Sequence, residues 1–143
     1  MKAPTFFPNL GLLLLRVPFG VYLAIAGINK VRGGVGGFVS HGVESIPPFL
    51  PEAIGRAYLY AVPWAELLLG IMLVLGVFTR MAGFLAALMV FSFTVAVTGI
   101  GDPPKPFNAN LIYIGLLLAV AMLGPGAISV DARVPRKKPK NHA

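Results

Sequence analysis

The chain has 143 residues, room for one domain, and 57% of them are hydrophobic while only 12% carry a charge. This balance lies outside the range of ordinary soluble domains and predicts a membrane protein. Five of the twelve Lys and Arg residues lie in a basic C-terminal tail, residues 132–143, which favours anionic lipid over nucleic acid as the partner. Because the chain contains no cysteine, we expect no disulfide and no thiolate ligand, and because its sequence shows no cluster of metal-ligating residues, we expect no metal site.

Four apolar segments are long enough to cross a bilayer, which needs about 20 apolar residues. The predicted transmembrane helices span approximately residues 10–28, 57–78, 81–99 and 110–123. The fold class predicted is all-α, an integral membrane four-helix bundle formed by a single multi-pass domain.

Residues 31–56 separate the first two predicted helices and contain paired glycines and three prolines. Such a composition cannot form one continuous helix, so we expect a long outer loop with a short interfacial piece around Phe38 or Phe49.

The distribution of basic residues predicts the orientation of the bundle. With an even number of crossings, seven Lys and Arg residues fall on the side of the two termini and four on the other. The positive-inside rule then places both termini in the cytoplasm and residues 31–56 outside the cell (inner) membrane.

Two charged residues, Arg16 and Glu66, fall inside predicted transmembrane helices, where an unpaired charge costs on the order of 3 kcal/mol. If Asn29 and Arg56 mark facing helix ends, the two charges differ in level by only about 5 Å. We therefore predict an Arg16–Glu66 ion pair as the catalytic centre of the protein.

Small and polar residues share one face of each predicted helix and would enclose a cavity beside this pair. Its outer half would contain four candidate cofactor-binding residues, Lys30, Thr98, Asn110 and Tyr113.

A purely structural interpretation of these residues stays open. A buried ion pair can serve only to fix helix register, and glycine stripes are common wherever transmembrane helices pack closely. The hydroxyls of Thr94 and Thr98 can bond to their own helix, and Tyr113 can be a packing aromatic or an interfacial anchor. Asp131 is explained by capping of the turn that follows the last helix.

The residues just described resemble the DoxX family of small four-helix membrane proteins. The similarity lies in "LLLLRVPFGVYLAIAGINKV", "PWAELLLGIMLVLGVFTR" and "GPGAISVD", in this order along nearly the whole chain. The matching positions are Arg16, Lys30, Glu66, Arg80, Gly124, Gly126 and Asp131.

The resemblance implies a role beside electron transfer, because the related DoxD proteins are membrane subunits of a thiosulfate:quinone oxidoreductase. We therefore expect an integral membrane subunit of a quinone-linked oxidoreductase assembly, with quinone as the cofactor and no metal or thiol redox centre of its own. The partners implied are membrane lipid and a redox protein, and a homo-oligomer is compatible with this interpretation. Two alternatives remain, a small-solute transporter or channel and a non-catalytic membrane scaffold or assembly factor.

Overall fold

The structure is a computed structural model that describes residues 6–98 and 109–133, with side chains described for residues 7–95 and 110–133. Within these ranges the chain contains five α-helices and one 3-10 turn and no strand, which confirms the all-α class. The elements are α1 Phe6–Arg32, α2 Val35–Gly42, the 3-10 turn Val43–Ser45, α3 Glu52–Leu75, α4 Thr79–Thr98 and α5 Ala109–Leu123.

The largest difference from the predicted elements lies in residues 31–56, which were expected to form a loop. α1 continues to Arg32, α3 already begins at Glu52, and α2 forms between them. Pro51 directly precedes α3, a place where proline costs little because the first N–H groups of a helix have no partner within it. The paired glycines therefore interrupt the helices without preventing a short helix from forming.

α1 and α3 are antiparallel and touch through their backbones. A Cβ atom added to Gly70 would lie 2.5 Å from the amide nitrogen of Ala24 and 2.6 Å from the carbonyl oxygen of Gly20. A Cβ atom added to Gly27 would lie 2.6 Å from the amide nitrogen of Leu67. The prediction that small residues of the first helix face inward is confirmed at Gly20 and Gly27, and these contacts fix the register of α1 on α3.

The apolar core lies between two helix pairs, since the most extensive helix contacts join α1 with α3 and α4 with α5. The core residues are Phe19, Leu23, Leu69, Leu73, Ala82, Ala86, Ala87, Met89, Val90, Leu117 and Val120. Alanines of α4 let the two pairs approach closely, while leucines and Phe19 fill the remaining volume.

The outer faces of the helices are apolar as well. Leu68 of α3, Phe84 of α4 and Ile112 of α5 are 60%, 56% and 55% exposed. α1 and α3 are each long and apolar enough to cross a membrane, and the apolar parts of α4 and α5 are shorter. An apolar outer surface of this kind is suited to contact with the hydrocarbon chains of a lipid bilayer.

We expect Gly70→Ala to lower the free energy of unfolding by about 1–3 kcal/mol, because the new methyl group meets backbone atoms of α1 that can yield only if the helices separate. Thermal unfolding of the purified protein in detergent measures the effect.

Gly115→Ala is the matched control, because a Cβ atom added to Gly115 of α5 has no neighbour within 4 Å. Alanine is the better helix former, so this change should be neutral or stabilising by up to about 1 kcal/mol. Equal losses of stability in the two variants would contradict the close contact between α1 and α3.

Candidate functional site

Glu66 is a buried carboxylate of α3, and its partner is Lys30 of α1. Lys30 Nζ donates hydrogen bonds to Glu66 Oε1 at 2.5 Å and Oε2 at 2.6 Å. The Glu66 side chain is 5% exposed and that of Lys30 is 26% exposed. Helical side chains lean toward the N-terminus of their own helix, so on antiparallel α1 and α3 these two side chains lean toward each other.

The predicted Arg16–Glu66 pair is wrong. Glu66 binds Lys30, and Arg16 of α1 lies beside the C-terminal end of α3. The prediction took Asn29 and Arg56 as facing helix ends. The two side chains that neutralise each other are thus one predicted catalytic residue, Glu66, and one predicted binding residue, Lys30.

The error has a physical reason, which is that α1 and α3 do not end at the same level. Gly20 of α1 lies against Gly70 of α3. If the helix ends were aligned, Gly20 would lie closer to the N-terminus of α3 by at least one helical turn, or roughly 5 Å. The first turns of α3 therefore project past α1 and pack against the α2 segment, where Leu59 contacts Gly42. The offset could not be predicted from the sequence. It depends on α2, which covers the projecting turns, and residues 31–56 were expected to form a loop.

Arg16 is 2% exposed and binds backbone carbonyl groups. Its Nη1 donates to the carbonyl oxygen of Leu73 at 3.0 Å, and its Nη2 donates to that of Ile128. Carbonyl groups in the last turn of a helix carry its partial negative charge, so the end of α3 stabilises a cation here. In the described part of the chain Arg16 forms no ion pair, and it is absent from the described lining of the cavity that contains Glu66.

Asp131 lies near Arg16 and caps α4, whereas the sequence predicted that it caps the turn after the last helix. Its carboxylate accepts hydrogen bonds from the amides of Phe78 and Thr79, both at 2.8 Å, and from the Thr79 hydroxyl at 2.9 Å. Burial alone would raise the pKa of Asp131, but these hydrogen bonds and the charge of Arg16 outweigh it and hold the pKa below its usual value.

A cavity of about 280 Å³ surrounds the ion pair and is here named the Lys30–Glu66 chamber. Asn110 and Tyr113 of α5 also line it, so three of the four predicted binding residues lie beside Glu66. The side chain of the fourth, Thr98, falls outside the described residues. The rest of the lining is apolar or aromatic: Phe19, Tyr22, Leu23, Ala26, Phe38, Val90 and Phe93.

Two phenylalanine rings lie over the ammonium group of Lys30. Lys30 Nζ is 5.1 Å from the ring centroid of Phe38 and 5.9 Å from that of Phe93. Cation–π contacts of this kind stabilise an ammonium by up to about 2 kcal/mol where water is excluded. Sequence reasoning considered Phe38 only as an interfacial residue and missed Phe93, because an aromatic on a helix that is apolar all round carries no distinguishing pattern.

The chamber can bind a small molecule that carries oxygen atoms. An ammonium, an amide and a phenol offer hydrogen-bond donors, and the carboxylate of Glu66 can accept or release a proton. The aromatic walls suit a planar ring.

A helical chain with apolar outer faces and a buried carboxylate paired with a lysine between its helices belongs to the class of small integral membrane proteins. The DoxX family matches residues 11–99, more than half of the chain, and the chain therefore belongs to this family. It is 29% identical over 134 residues to a protein of Bacillus subtilis (strain 168) named "Putative oxidoreductase CatD", a similarity that covers 91% of each chain. No solved structure matches the chain. The family resemblance seen in the sequence is confirmed, and with it the membrane character of the protein.

We expect a double-mutant cycle to detect the Lys30–Glu66 pair. Lys30→Met or Glu66→Gln alone leaves a buried charge or polar group without its partner and should cost about 3–5 kcal/mol, while the double variant should lose less than the sum. Thermal unfolding in detergent measures all four proteins.

The matched cycle combines Arg16→Met with Glu66→Gln. These side chains bind different groups, so their effects should add within about 0.5 kcal/mol. If the effects of Arg16→Met and Glu66→Gln were coupled while those of Lys30→Met and Glu66→Gln were additive, the pairing of Lys30 with Glu66 would be contradicted.

We expect Asp131 to make stability depend on pH. Because its pKa is lower in the folded state than in the unfolded chain, its hydrogen bonds stabilise the fold above about pH 4, and this stability is lost as pH falls through the folded-state pKa. Unfolding temperatures of the wild type and Asp131→Asn, measured between neutral and acidic pH, should converge on acidification. Parallel curves would show that the carboxylate charge contributes nothing.

Proposed function

We propose that the protein is an integral membrane subunit of a quinone-linked oxidoreductase assembly and that it binds the ring of a quinone in the Lys30–Glu66 chamber. The observation that carries the proposal is the buried Lys30–Glu66 pair, which shares one small cavity with Asn110 and Tyr113. In a membrane protein, ionisable residues within the apolar helices mark functional sites by default.

The donors of the chamber fit the oxygen atoms of a quinone. Lys30 has three N–H bonds, and after binding both oxygens of Glu66 it can still donate toward the cavity. Asn110 and Tyr113 add neutral donors from α5. When bound, a quinone supplies reversible chemistry in which electrons and protons are taken up together.

Glu66 is the group that would move protons. A carboxylate held by a lysine can accept a proton when the charge on the lysine is drawn toward another oxygen atom, and it can then pass that proton on. Lys30 would act as an electrostatic anchor for the bound oxygen. The rings of Phe38 and Phe93 lie over the ammonium beside which this exchange would take place.

A partner protein would supply the electrons. The chain contains no cysteine, and its described histidine, His41, lies on the exposed surface of α2, so these residues offer no buried ligand for haem, iron–sulfur or copper. The name of the Bacillus relative as an oxidoreductase supports a redox setting for such an assembly.

The proposed location is the inner cell membrane, which the chain would cross several times. The bias of seven basic residues against four places both termini in the cytoplasm, and α2 would then lie at the outer surface. Membrane lipid and a redox protein are the proposed partners, and a second copy of the chain is compatible with the apolar outer faces.

We expect the double variant Lys30→Met, Glu66→Gln to insert and fold but to bind a chain-free benzoquinone at least about tenfold more weakly than the wild type, because both charged contacts are gone. Calorimetric titration of the protein in lipid nanodiscs gives the dissociation constant, and thermal unfolding verifies the fold.

The matched control is Arg56→Met, Glu52→Gln, which removes an exposed ion pair of 2.7 Å from the first turns of α3. This variant should bind the benzoquinone like the wild type, since an exposed pair contributes little. Equal affinities in the two double variants would overturn the proposal and leave the Lys30–Glu66 pair as a structural element of a scaffold.

A further inference from the structure

A second and larger cavity adjoins the Lys30–Glu66 chamber. It has a volume of about 570 Å³ and is here named the apolar groove. Residues of α2, the segment after it, α3 and α4 form its walls, among them Phe38, Ile54, Leu59, Phe91 and Phe93. Among the described residues that line it, all side chains except those of Ser45, Tyr58 and Ser92 are hydrocarbon, so it suits an aliphatic chain and not a hydrated solute.

Phe38 and Phe93 are the residues that the two cavities share. Each ring lies over Lys30 Nζ in the chamber and also forms part of the groove wall. The two rings therefore form an aromatic partition between the cavity that contains the ion pair and an apolar one. Both side chains are partly exposed, and a change of side-chain rotamer at these two positions would join the two cavities.

α2, which carries Phe38, packs on the helices beneath it at more than one residue. Val39 is 2% exposed, and Gly42 contacts Leu59 of α3. Just before Phe38, Gly36 and Gly37 have no atom within 4 Å of an added Cβ, so the backbone of α2 is open on that side. Opening of the partition would therefore require movement of the Phe38 ring and not of α2.

The opposite side of the chamber is lined by a cluster of three rings. Phe19 and Tyr113 have ring centroids 5.2 Å apart, and Tyr22 lies 5.9 Å from Phe19 and 6.0 Å from Tyr113. Phe38 and Phe93, and not these three rings, separate the chamber from the apolar groove.

The apolar groove continues toward lipid along α3 and α4. A recess of about 360 Å³ shares Tyr58, Leu88 and Ser92 with it and extends to the exposed Leu68 and Leu85. The hydroxyls of Tyr58 and Ser92 bond to each other, and Ser92 also donates to the carbonyl oxygen of Met89 at 2.6 Å. These polar atoms therefore satisfy one another and leave the groove apolar.

We propose that the ligand of this site is an amphiphile whose head group occupies the Lys30–Glu66 chamber and whose hydrocarbon chain lies in the apolar groove, passing between Phe38 and Phe93. The ligand enters laterally from the bilayer between α3 and α4. This inference rests on the proposed function and specifies its substrate class, a quinone with an isoprenoid or alkyl chain and not a water-soluble ring.

The test must separate binding from partitioning, because a hydrocarbon chain dissolved in lipid gains little further hydrophobic free energy from an apolar groove. Comparison of two variants with the same ligand at the same mole fraction in lipid removes this difficulty. Ile54→Trp fills the groove, and Ile71→Trp, also at an exposed isoleucine of α3 but outside the lining of the groove and the chamber, is the matched control.

We expect Ile54→Trp to bind a benzoquinone with a ten-carbon chain about tenfold more weakly than Ile71→Trp does, because the indole occupies the path of the chain. The chain-free benzoquinone should bind equally to both variants. Phe91→Trp, at a second position of the groove on α4, should repeat the result and guards against a local folding defect. Titrations in nanodiscs provide the dissociation constants.

The outcomes distinguish the two proposals. If both quinones bind and neither responds to Ile54→Trp or Phe91→Trp, the chain lies elsewhere, and the groove assignment is overturned while the proposed function stands. If neither quinone binds to the wild type, both proposals fail together. Selective weakening of the chain-bearing quinone alone supports the lateral path.

Discussion

The close contact of α1 with α3 is the constraint on which the rest of the structure depends. At Gly20, Gly27 and Gly70 the two backbones approach so closely that a single methyl group does not fit between them. A contact of this kind does not slide, because any change of level would bring a larger side chain into the same place. It thereby determines that the ammonium of α1 and the carboxylate of α3 meet within hydrogen-bonding distance, and that the cavity around them lies toward α4 and α5.

The contact of α1 with α3 places Lys30 and Arg16 of α1 in different surroundings. Lys30 is paired with a carboxylate and lies under two aromatic rings beside a cavity. Arg16 is held by carbonyl groups at the end of α3 and by the segment before Asp131, and it is absent from the described lining of that cavity. A guanidinium suits this second place because its planar fork can reach several carbonyl groups at once. The lysine therefore borders a cavity, whereas the contacts of the arginine join parts of the fold.

The sequence predicted the helical segments but not how they lie against one another. Apolar run lengths and helical spacing depend on local residues, so the apolar helices α1, α3, α4 and α5 could be derived, and three of the candidate residues, Lys30, Asn110 and Tyr113, lie at one cavity with Glu66. The level of one helix against another depends on tertiary contacts, which residue counting from helix ends cannot provide. The Arg16–Glu66 pair failed for this reason, and so did the placement of Asp131, whose capping partner lies 52 positions away. Phe38 was predicted only as an interfacial residue and Phe93 was not predicted, since only the folded backbone brings both rings to Lys30.

The bond from Arg16 to Ile128 joins residues 112 positions apart, and this has a consequence for biosynthesis. The guanidinium is made early, but this partner is made only after all the described helices. Until then a cation that has left water lacks one of its acceptors, which costs free energy in any partially inserted intermediate. A chain that stops at the end of α5 would therefore carry an incompletely solvated charge, which membrane proteases and chaperones can recognise as unfinished.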